Sequence, residues 1–160
     1  MDITYLGHSS FKIKTKTSLV HLNSTKISIE SQEGKAKEIT GPGEYEISGI
    51  SVIGINVNKK PVYVLEIEKL RVATLGNMDQ KIDSGLVDQL GSIDVLILLP
   101  SQASAISEID PYFAIPAYED NLESFIKEVG LPNETLAKFS LKKEDILEDQ
   151  NTKVIVLDKK

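Results

Sequence analysis

The chain has no cysteine, which removes disulfide staples, thiolate metal ligands and thiol nucleophiles together. It has only two histidines, His8 and His21, and one arginine, Arg71. Zinc chemistry built on several imidazoles therefore has little to work with. No basic run exceeds a pair of residues, whereas a nucleic-acid surface needs clustered Lys and Arg to displace counterions, so no nucleic-acid partner is expected. The longest apolar run, Val95 to Leu99, is far too short to span a bilayer, and no membrane partner is expected either. The first residues enter a strand pattern directly, without the basic start and apolar core of a signal peptide, so the expectation is a soluble cytoplasmic protein.

What is present is one stretch of 160 residues, read as a single domain over 1–160, with 24 acidic and 18 basic residues and a formal charge of −6. Much of the excess acid falls between residues 119 and 150. Period-two alternation at Ile3 to Leu6 and Phe11 to Lys14, either side of Gly7-His8-Ser9-Ser10, predicts a hairpin with one apolar and one wet face. Strands are expected at Leu19 to Leu22 and Lys26 to Ser31, followed by a polar connection around Gly34. Gly41-Pro42-Gly43 is a rigid turn that launches Tyr45 to Ile47, with Pro42 fixing φ and the glycines permitting unusual backbone. Ile50 to Val57, Val62 to Ile67 and Leu70 to Leu75 complete a β meander.

The second half alternates. Ser84 is the expected N-cap of a short helix ended by Gly91. Ile93 to Leu99 reads as a strand covered on both faces. A helical turn near Ser104 to Ile109, a strand at Tyr112 to Ile115 and a helix capped by Asp120 follow. That helix presents Leu122, Phe125, Ile126 and Val129 on one face and ends at Gly130-Leu131-Pro132. A further helical turn is expected over 133–137, with closing strands at Phe139 to Leu141 and Val154 to Leu157. The pattern predicts an α+β fold of two stacked, mostly antiparallel sheets with helices mainly over the second.

Four segments in order carry a resemblance: Ile3-Thr4-Tyr5-Leu6-Gly7-His8-Ser9-Ser10-Phe11, Gly41-Pro42-Gly43-Glu44-Tyr45-Glu46-Ile47, Leu75-Gly76-Asn77 and Ile115-Pro116-Ala117-Tyr118. The chain resembles the metallo-β-lactamase-fold hydrolases, in the branch related to ascorbate-phosphate lactonase. The resemblance implies an αββα sandwich with a metal site on the edge between the sheets. It also implies a His-x-His-x-Asp-His cluster after a strand, where metal-bound water would become the attacking hydroxide. Aligned on the strand at Lys26 to Ser31, the motif positions are Gln32, Gly34, Ala36 and Lys37, none a metal ligand. The family's Leu-Gly-Asp is Leu75-Gly76-Asn77 here, and its Ile-Pro-x-His is Ile115-Pro116-Ala117-Tyr118. The chain also looks short for the branch, as if truncated where the supporting helix belongs.

No metal and no cofactor are therefore expected. The leading expectation is a degenerate, metal-free protein of this fold with a binding or assembly role and an unidentified small-molecule or protein partner. The alternatives are a hydrolase of a phosphate ester or lactone using the residual groups His8, Asn77 and Tyr118, and a homo-oligomeric structural domain. Each residue also has a plainer reading: His8 shapes a tight turn and His21 lies on a half-buried strand. Glu44 and Glu46 form the wet face of an antiparallel strand. Asn77 keeps a carboxylate's shape without a charge that would be costly if buried and unpaired. The strands at Leu19 to Leu22 and Ile50 to Val57 are the expected places for a dimer contact.

Overall fold

The computed structural model describes residues 1–119, 122–130, 132 and 134–160. The meander consists of nine strands: β1 (Asp2–Gly7), β2 (Ser10–Lys14), β3 (Ser18–Leu22), β4 (Ile27–Ser31), β5 (Ala36–Ile39), β6 (Gly43–Ile47), β7 (Ile50–Val57), β8 (Lys60–Ile67) and β9 (Leu70–Thr74). The remainder is α1 (Ser84–Leu90), β10 (Val95–Leu98), α2 (Ala105–Ile109), β11 (Phe113–Pro116), α3 (Glu123–Val129), β12 (Glu134–Leu136), β13 (Phe139–Ser140) and β14 (Lys153–Leu157), with 3-10 turns at Pro100–Gln102 and Lys143–Asp145. The first sheet runs β13-β1-β2-β3-β4-β5 and the second β12-β14-β11-β10-β9-β8-β7-β6. The first is antiparallel throughout. The second changes at β9, beyond which β10, β11, β14 and β12 pair in parallel.

Alternation explains the stacking. Ile3, Tyr5, Phe11, Ile13, Val20, Leu22, Ile27 and Ile29 all face the second sheet, meeting Val52, Leu65, Val72, Ile97 and Ile115 in one core. The second sheet's other face carries Val62, Val64, Ala73, Leu96 and Ala114, covered by Leu86, Leu90 and Phe125 of the helices. Strands β10 and β11 are consequently buried at every residue. No helix covers the outer face of the first sheet among the described residues, and that face is polar or only half-buried: Lys12, His21, Ser28 and Glu30. No helix is long and apolar enough to cross a membrane among them either.

Several local expectations change. The polar connection after β4 contains a strand, β5, whose Ile39 is buried opposite Ile27. Three exposed residues before a single apolar one gave no alternation to read. The turn expected over 133–137 includes β12, lying parallel to β14. The N-cap of α1 is Asp83, whose carboxylate accepts from Leu86 N–H at 2.8 Å, and Ser84 is the first helical residue. The proposed cap Asp120, and Leu131 at the far end of α3, lie outside the described residues. Gly130 closes α3 with φ 90° and an N–H donated to Ile126 O.

The turn at Gly41-Pro42 folds back onto β7. Gly43 pairs with Gly54, and a Cβ at Gly54 would stand 2.7 Å from Gly41 O. The Tyr45 hydroxyl lies 3.2 Å from Gly41 O and 3.1 Å from Pro42 O, tying the turn to its own strand. Glu44 and Glu46 are exposed beside it.

Candidate functional site

Strands β9, β10 and β11 end together, because β10 pairs in parallel with both neighbours and register matches Ile97 to Thr74 and to Ile115. Facing them from the first sheet are the β1–β2 turn, with His8 and Ser9 at φ 49° and 56°, and the β3–β4 turn at Ser24. This is the seam between the sheets. Ser9, Ser24, Thr74, Gly76 and Ala117 line it with the end of β10, and the space left is about 10 Å³. A cavity needs roughly 10–15 Å³ to admit one water. The seam is narrow.

Several contacts narrow it. At Gly76, with φ 53°, a Cβ would stand 2.7 Å from Ser24 O and 3.2 Å from Pro61 O, so the loop after β9 presses against both sheets. Gln102, largely buried, acts as a clamp. Its amide donates to Gly76 O at 3.1 Å and Met78 O at 2.7 Å, and its oxygen accepts from Leu99 N–H at 2.8 Å. The Tyr5 and Tyr118 rings meet at a 39° tilt with centroids 5.3 Å apart, the Tyr5 hydroxyl donating to Tyr118 O. The Tyr118 hydroxyl donates to Leu157 O at 3.0 Å, and Lys160 N–H reaches Tyr5 O at 3.1 Å. Burial pushes both phenols above their ordinary pKa; for Tyr118 the nearby Asp158 charge adds to it.

The three residual candidates are not assembled around one space. His8 is exposed, its Nδ1 3.2 Å from Glu119 Oε2. Tyr118 is committed to Leu157. Asn77 lines a separate hollow between residues 77–82 and 99–105. Sequence reasoning found no orienting partner for His8, and Glu119 supplies one; nothing in the spacing of residues 8 and 119 signals it. His21 lies exposed on the outer face of β3 opposite Ser28.

The alignment of the ligand motif needs correction. Gln32 and its neighbours follow β4 at the end remote from the seam, where the Gln32 amide donates to Lys16 O at 3.2 Å. No register of that segment places it beside Gly76 and Ala117. The residues that do line the seam offer hydroxyls, a glycine and an alanine, and no cluster of three or more His, Cys, Asp or Glu stands anywhere among the described residues. The donor set does not fit a zinc centre.

A solved structure from Thermotoga maritima, described as a Zn-dependent hydrolase of the metallo-β-lactamase superfamily, superposes with TM-score 0.78 over 98% of both chains. The chain has the metallo-β-lactamase fold. Identity is 19%, so the likeness is one of architecture. No family profile and no curated protein matches the sequence. The likeness runs through nearly the whole of both chains, and the absence of a helix over the outer face of the first sheet among the described residues accords with a shortened member of the fold.

Proposed function

We propose that this chain is a metal-free protein of the metallo-β-lactamase fold, working by binding or assembly rather than by hydrolysis. The observation that carries the proposal is the chemistry of the seam. Where the fold's hydrolases need imidazoles and carboxylates around an open position, this chain has Ser9, Ser24, Thr74, Gly76 and Ala117 around about 10 Å³. The Gln102 amide joins the loops at residues 76–78 and 99–102 without a cation. Elemental analysis of untreated protein, followed by zinc titration calorimetry, tests it. Sub-stoichiometric zinc and no saturable heat are expected; one tightly held zinc per chain at a site including His8 overturns it.

The pairing of His8 with Glu119 favours a second reading, metal-independent hydrolysis of a phosphate ester or lactone with His8 as base. An esterase, phosphodiesterase and lactonase panel on wild type, His8→Ala and Glu119→Gln separates the two. Turnover lost in both variants supports the enzyme. Assembly is read by light scattering, where a concentration-independent monomer removes the homo-oligomer and leaves binding.

A further inference from the structure

The opposite pole of the sandwich holds a feature that the linear sequence hides. β1 and β9 run from this pole to the seam, and the segments meeting here are the start of β1, the β2–β3 turn, the β8–β9 turn and the 3-10 turn at Lys143. They enclose an open hollow of about 450 Å³, within the range that holds small molecules of metabolite size. Lys14, Lys16, Lys69, Lys142 and Lys143 line it, with Met1. In a chain of net charge −6, five lysines from three distant stretches of sequence converge on one concave surface.

The carboxylates lining the same hollow are largely engaged. Glu68 accepts from the Met1 amino group at 2.7 Å and from Lys16 N–H at 2.9 Å, and Asp2 pairs with Lys138 at 3.3 Å. Glu144 lies 3.9 Å from Lys142 with both side chains mostly exposed, a pair of little energetic weight. Lys143 reaches out to Asp94 at 3.0 Å. The ammonium groups of Lys14 and Lys69 have no hydrogen-bond or ion-pair partner among the described residues, and Lys16 has only the field of Glu68. Glu68 is held below the ordinary carboxylate range, first by the amino group of Met1, and so stays anionic while saturating the donors nearest it. Lys14 and Lys16 also border a neighbouring hollow beside β3 and β4, so this end of the molecule carries unpaired positive charge along its surface.

We propose that this pole binds a small, multiply charged anion of the phosphate-bearing class. Lysines act as mobile point charges suited to phosphate oxygens, and the hollow draws donors from both sheets, so one ligand would contact both. The reading is independent of the seam: a zinc-loaded seam would leave it standing, and an empty one would not support it.

Calorimetric titration of the full chain with inorganic tripolyphosphate at low salt is the test, with Lys14→Gln, Lys69→Gln and, as a remote control near the seam, Lys81→Gln. All three positions are exposed, so the variants keep the fold, checked by circular dichroism. Saturable one-to-one binding, weakened about tenfold by Lys14→Gln and by Lys69→Gln and less than about twofold by Lys81→Gln, is the expected result. No saturable heat, equal weakening by all three substitutions, citrate bound as tightly as tripolyphosphate, or binding of single-stranded RNA without binding of tripolyphosphate would each overturn it.

Discussion

Tyr63 sits at 1% exposure on β8, opposite Gly54 and Thr74, and its hydroxyl has no hydrogen-bond partner among the described residues. Burial raises its pKa, as expected of a phenol with nothing to stabilise its anion. A buried hydroxyl without a partner carries an unrecovered desolvation cost of about 1–3 kcal/mol, so Tyr63→Phe should leave stability unchanged or raise it by about 1 kcal/mol. Urea denaturation reads this, and a clear loss would reveal a bound partner for that hydroxyl. Gln102 predicts the opposite. Its side chain makes three hydrogen bonds to backbone groups of two loops, and Gln102→Ala strands those groups where water enters poorly. The expected loss is about 3 kcal/mol by the same measurement. Asp94 shows how one buried acid is tolerated: it accepts from Arg71 N–H at 2.7 Å and from the Lys143 ammonium, while the Arg71 guanidinium caps the last carbonyls around α1 at Leu90 and Ser92.

At the scale of elements, the meander is folded by two-residue turns with positive φ at both positions. Asn58 and Lys59, at 52° and 66°, and Glu68 and Lys69, at 52° and 68°, are two of them. This mirror-image turn matches the twist of its flanking strands, and glycine at its second position avoids the steric cost of a side chain. Lys59 is exposed, and Lys59→Gly creates Asn-Gly, the favoured pair; a gain of about 0.5–1 kcal/mol in thermal or urea denaturation is expected. The same change at Lys69 would test the turn less cleanly, because Lys69 also lines the distal hollow. The edge strands β5 and β6 carry Lys37, Glu38, Glu44 and Glu46 in exposed positions, which discourages further strand pairing there. The expected dimer strands are placed differently from one another: β3 lies inside the first sheet, and β7, one in from the edge of the second, exposes Ile53 by 37%.

For the whole molecule, pH acts on two limbs. Glu68 and Asp2 have folded pKa values below their ordinary ones, through the Met1 amino group for Glu68 and the Ser140 side chain for Asp2. The stability they contribute is full above the unfolded values, 4.5 and 3.8, and is lost as pH falls through the lower folded values. Tyr5, Tyr63 and Tyr118 are shifted upward from 10.0, so their contribution is full below 10 and declines as pH rises through the higher folded values. A stability profile flat between these limbs is expected, and Glu68→Gln should make the acid limb shallower. An acid limb of unchanged slope in that variant would remove Glu68 as a source.

The sequence by itself determined the alternating strands, their inward faces, and the poverty of metal ligands, since alternation and residue type are local properties that no packing can alter. Ile3, Tyr5, Phe11 and Ile13 could face only one way, and two histidines without a cysteine remain a thin ligand supply wherever they are placed. It could not reveal β5 or β12, whose pairing rests on neighbours rather than on their own pattern. It misplaced the segment around Gln32, because a strand's direction in the sheet, and hence which pole its end reaches, is set by pairing across the whole meander. Tertiary structure alone decided that the seam is narrow and that lysines at 14, 16, 69, 142 and 143 share one hollow: separations in sequence say nothing of distance until two sheets stack and bring their ends together.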